Sequence, residues 1–99
     1  MNDRELLELA AKAAGINADA CWSEVALAWH GDKETTNEFW NPLIDDGDAL
    51  RLAVKLELNV LPGIARDSDG RLIVEKDGDP CAATRRAIVR AAAEIGKTI

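Results

Sequence analysis

Trp40-Asn41-Pro42-Leu43-Ile44-Asp45-Asp46-Gly47-Asp48-Ala49-Leu50-Arg51-Leu52-Ala53-Val54-Lys55-Leu56 holds the end of an extended run and the start of a helix side by side. Asn41-Pro42 interrupts regular structure, because proline has no N–H and biases the residue before it toward extended backbone. Asp45, Asp46 and Asp48 then stand where short acidic side chains cap the free N–H groups of a first helical turn and favour its positive dipole end. The apolar set Ala49, Leu50, Leu52, Ala53, Val54 and Leu56 covers well over half of the following circumference, and Arg51 and Lys55, four apart, form one polar rail. A helix ending near Leu58 is predicted. Its breadth of apolar surface predicts a central helix, wedged between a sheet and a neighbour.

Upstream, Asn2 is placed to cap a helix with Glu5 three residues later, and Leu6, Leu9, Ala10 and Ala13 recur at helical spacing until Gly15 supplies a left-handed stop. This predicts a helix over Asp3–Ala14. From Cys21 to Trp29 the period changes to two, with Cys21, Ser23, Val25, Leu27 and Trp29 on one side and Trp22, Glu24, Ala26 and Ala28 on the other. One strand is expected there, then a turn at His30-Gly31-Asp32-Lys33 and a short returning strand around Thr35–Trp40.

Downstream, Asn59–Arg66 reads as a strand that Pro62-Gly63 forces to an edge or a bulge. Asp67-Ser68-Asp69-Gly70 reads as a hairpin connection into Arg71–Lys76, with Leu72 and Val74 on one face, and Asp77-Gly78 turns again. Asp79 followed by Pro80 opens a last helix with Thr84, Ile88, Ala91, Ala92 and Ile95 inward, and Gly96 is read as its stop. The expectation is one α+β domain over residues 1–99, an α/β sandwich in the order α-β-β-α-β-β-α. Its four-stranded, mainly antiparallel sheet would carry three helices, on both faces.

The 99 residues include 17 Ala and 11 Leu, carry 47% hydrophobic and 30% charged residues, and hold a net charge of −6. That balance belongs to a folded globule rather than a disordered chain. Asp3, Arg4, Glu5 and Glu8 interrupt the opening apolar residues, so no secretory signal and no membrane span is expected, and a cytoplasmic protein is the expectation. An acidic chain repels phosphate backbones, which disfavours direct nucleic-acid binding. The charge is uneven: residues 1–79 hold 17 acids and 8 bases, whereas residues 80–99 hold Arg85, Arg86, Arg90 and Lys97 against Glu94 alone. Such a basic stripe either complements a helix dipole or meets an acidic partner, including a second copy of the chain.

Two stretches resemble a known family. The run Trp40–Leu56 looks like the W-N-P-L-x-D-D-G-D-A-L-R-L-A-V-K-L signature of small bacteriophage and prophage proteins, and Asp79-Pro80-Cys81-Ala82-Ala83-Thr84-Arg85-Arg86-Ala87-Ile88-Val89-Arg90-Ala91-Ala92-Ala93-Glu94-Ile95-Gly96 resembles their closing segment. Asp3–Gly15 fits their start. This family is the phage ABA sandwich domain. The resemblance implies an α/β sandwich of phage or prophage origin acting inside a bacterial host, and it carries no catalytic or ligand residue across.

Candidate sites are few. Asp45, Asp46 and Asp48 lack the spacing of a calcium loop, since Gly47 comes too early and Leu56 stands at the twelfth position. Cys21, Cys81 and His30 make too few ligands for a structural zinc, and both cysteines read as small buried hydrophobes. No nucleotide-binding loop or nucleophile–base pattern is present in the sequence, so no cofactor is expected and an enzyme is disfavoured. Trp22 and Trp40 remain as possible contact residues, together with Arg85, Arg86 and Arg90, although Trp40 reads first as packing that locks the entry to the central helix. The function expected is a non-catalytic interaction module for a host or phage protein, or for a second copy as a homodimer. The alternatives are an acidic mimic of nucleic acid that occupies a DNA-binding host protein, and a small enzyme using a carboxylate pair.

Overall fold

The side-chain oxygen of Asn2 accepts the Glu5 N–H at 2.8 Å and so starts helix α1, Asp3–Ala14. Gly15, at φ 73°, closes it by donating to the carbonyls of Ala11 and Lys12. Asp45 caps α2, Asp46–Lys55, by accepting the Asp48 N–H, and Asp79 caps α3, Pro80–Lys97, by accepting the Cys81 N–H. Each cap satisfies a donor that the helix itself leaves free. The computed structural model describes residues 2–15, 21–23, 28–30, 39–76 and 78–98, and for 21–23, 28–30 and 39 the backbone alone.

The described order is α1, β1 (Cys21–Ser23), β2 (Ala28–His30), β3 (Phe39–Trp40), α2, β4 (Asn59–Leu61), β5 (Ile64–Arg66), β6 (Leu72–Val74), α3. The class is α+β with three helices, as the sequence predicts. The strands differ. Two three-stranded antiparallel sheets, β1-β2-β3 and β4-β5-β6, replace a single four-stranded one. Both extra strands come from reversals inside runs read as single strands.

The first lies within Cys21–Trp29. β1 and β2 pair with Trp22 opposite Trp29 and Ser23 opposite Ala28, so opposed residues have opposite parity in the numbering. The alternation that separates Trp22 from Trp29 is therefore overturned: Trp22, Trp29 and Trp40 stand at one register row across the sheet. The second reversal is Pro62-Gly63, a turn rather than a bulge. Proline fixes its own φ, Gly63 takes φ 73°, and Leu61 pairs directly with Ile64. The turns expected at His30-Gly31-Asp32-Lys33 and Asp77-Gly78, and most of the strand at Thr35–Trp40, involve residues outside the described ones.

The turn of the next hairpin behaves as its composition predicts. The Asp67 carboxylate accepts from the N–H groups of Asp69 and Arg71, and Gly70 takes φ 89°. In β6, however, the pair Leu72 and Val74 points outward, because Ile73 is the residue opposite fully buried Ala65 and packs against the core. α3 covers that inner face. Leu61, Leu72 and Val74 are exposed, so helices do not cover both faces of this sheet.

α2 ends in a left-handed residue that is not glycine. Glu57 sits at φ 56°, its N–H bonds to the Val54 carbonyl, and the Leu58 N–H reaches back to Ala53 at 2.9 Å. At α3 the expectation inverts: Gly96 is no stop but lies buried inside the helix. A Cβ there would overlap the backbone carbonyl of Leu9, so only glycine lets α1 approach α3 this closely. Asp3 pairs with Arg86 near the other end of α1, so the two helices run parallel. They meet over alanines, with Ala10, Ala14, Ala92 and Ala93 all in the core.

Candidate functional site

The Trp40–Asp48 segment is held by a buried carboxylate. Asp48, 1% exposed, accepts the Asn41 N–H at 2.9 Å on one oxygen and the Arg51 guanidinium at 2.6 Å on the other. The Asn41 side-chain oxygen accepts the Leu43 N–H, and its carbonyl accepts those of Ile44 and Asp45. Pro42 and Trp40 are buried beside it. These bonds explain why the segment needs its Asn, Pro and Asp residues: they fold a turn into the start of α2 and commit both oxygens of Asp48 to structure. One oxygen of Asp67 is committed to its hairpin turn, accepting from both Asp69 and Arg71.

Arg85 ties this turn to α3. Its Nε donates to the Leu43 carbonyl at 2.9 Å and a terminal nitrogen to Asp46 at 2.6 Å. Arg86 pairs with Asp3 and lies near Glu75, and Arg90 pairs with Glu75. The stripe of basic residues in α3 is thus answered by acids of the same chain, drawn from α1, α2 and the end of β6. Trp40, also a candidate contact residue, is 4% exposed and part of the core. This burial leaves the packing reading and removes the contact alternative for Trp40. Trp22 is placed by its register alone.

What the sequence does not foretell lies on α2. The helix is not wedged between two layers. Its small residues, Ala49 and Ala53, face inward with Leu52, whereas Leu50 and Val54 are 64% and 69% exposed. Beside them runs an open groove of about 340 Å³, lined from α2 by Ala49, Leu50 and Ala53, from β4 and its turn by Val60 and Pro62, and from α3 by Ile88. Asp46 and Arg85, joined to each other, border it, as do Pro80, Cys81 and Thr84. The Thr84 hydroxyl is already engaged, accepting the Gly63 N–H at 2.9 Å and donating to the Pro80 carbonyl at 2.7 Å.

Cys81 is exposed, which corrects its reading as a buried hydrophobe; it stands in the first turn of α3, at the open side of the groove. Ile44 and Leu61 are exposed as well but do not line the groove. A partial signal for the groove exists in the sequence: two of the apolar positions of α2 that turn inward, Ala49 and Ala53, are small, whereas Leu50 and Val54, which do not, are large.

Among the described residues, no group of three or more His, Cys, Asp or Glu side chains is gathered for a metal ion, and no helix is long and apolar enough to cross a membrane. The groove offers apolar contact and a closed ion pair. It suits an apolar segment better than a charged ligand, because a partner must desolvate little beyond carbon. The chain matches no family model, no curated protein and no solved structure.

Proposed function

We propose that this chain is a non-catalytic protein-interaction module whose contact surface is the groove between α2 and α3 with the exposed Leu50 and Val54 of α2 beside it. The observation that carries the reading is the exposure of Leu50 and Val54 on one helix, beside a groove floored by Ala49, Ala53 and Ile88. Large apolar side chains grouped around a concavity mark contact sites more often than they mark idle surface. The engagement of Asp48 and Asp67 in turns supports a non-catalytic role, since neither carboxylate oxygen that holds a turn is free for acid–base work. The use of Asp45, Asp48, Asp67 and Asp79 in caps and turns weighs against an acidic mimic of nucleic acid.

The resemblance of Trp40–Leu56 and Asp79–Gly96 to phage ABA sandwich proteins supports a phage or prophage origin, a place of action in the bacterial cytoplasm, and a host or phage protein as the partner. The test compares the wild-type chain with the double variant Leu50→Ser, Val54→Ser in quantitative capture from host lysate, with light scattering on the purified chain alongside. A protein retained by the wild type and lost by the folded variant is the expected result. Equal retention by both removes the groove from the reading, and a wild-type mass twice that of the variant replaces the foreign partner with a second copy.

A further inference from the structure

We draw no further inference here: the strongest candidate, the apolar groove between α2 and α3, belongs to the site already described, and nothing in the structure shows what covers it.

Discussion

α3 meets two helices in opposite ways. Against α1 it forms a closed seam, where Gly96 lets the Leu9 backbone come in and alanines from both sides fill the core. Against α2 it leaves a groove, although α2 also turns alanines inward. Small residues are therefore not what closes an interface. The seam closes because one position has no Cβ at all and because Arg86 and Asp3 align the helices from the far end. The groove stays open because α2 is held at its start, by Asp48 and by the bridge from Arg85 to Leu43 and Asp46, while Leu50 and Val54 lie off the contact line. One interface serves stability and the other leaves surface over.

The contrast can be broken most severely at Gly96. Gly96→Ala forces backbone of α1 away from α3, and a loss of about 3 kcal/mol or more is expected from such overpacking. Urea denaturation reads it directly; a loss under about 1 kcal/mol means that the seam is not closed by backbone contact. Asp48→Ala comes next. It strands the buried Asn41 N–H and frees half-exposed Arg51, for an expected cost of about 2 kcal/mol by the same measurement. Thr84→Val keeps the shape of the side chain and removes the acceptor for the Gly63 N–H, so about 1 kcal/mol should go, with hydrogen exchange at the Gly63 amide rising in step. The smallest effect belongs to the groove. Leu50→Ser with Val54→Ser should change stability by no more than about 0.5 kcal/mol, since both side chains are mostly in water already. A thermal scan showing a large drop would mean that α2 is packed on both faces after all.

The parts of this fold legible in the sequence are those decided within a few residues. Asn2, Asp45 and Asp79 announce their helices because a cap is a bond to the next turn, and Gly15 announces an end for the same reason. The same glycine chemistry misleads at Gly96, where the determining neighbour is Leu9, far away in the sequence. Strand number fails because β1 to β6 are two or three residues long, too short for a period of two to show where the chain reverses. Pro62-Gly63 is the instructive case: its composition admits an edge, a bulge or a turn, and only pairing across it decides. The groove is less legible still. Counting apolar positions on α2 says how much surface there is to cover, not whether anything in the chain arrives to cover it.

The parallel seam between α1 and α3 also sets an order of events during synthesis. Leu9 is made well before Gly96, so α1 emerges with its partner still unwritten and its face of Leu6, Leu7 and Ala10 exposed. No local contact can substitute, because the seam joins residues far apart in the sequence, and such contacts form late and slowly. The core therefore closes only once α3 has been made, and a ribosome stalled before α3 holds a nascent segment in which the apolar face of α1 is unprotected.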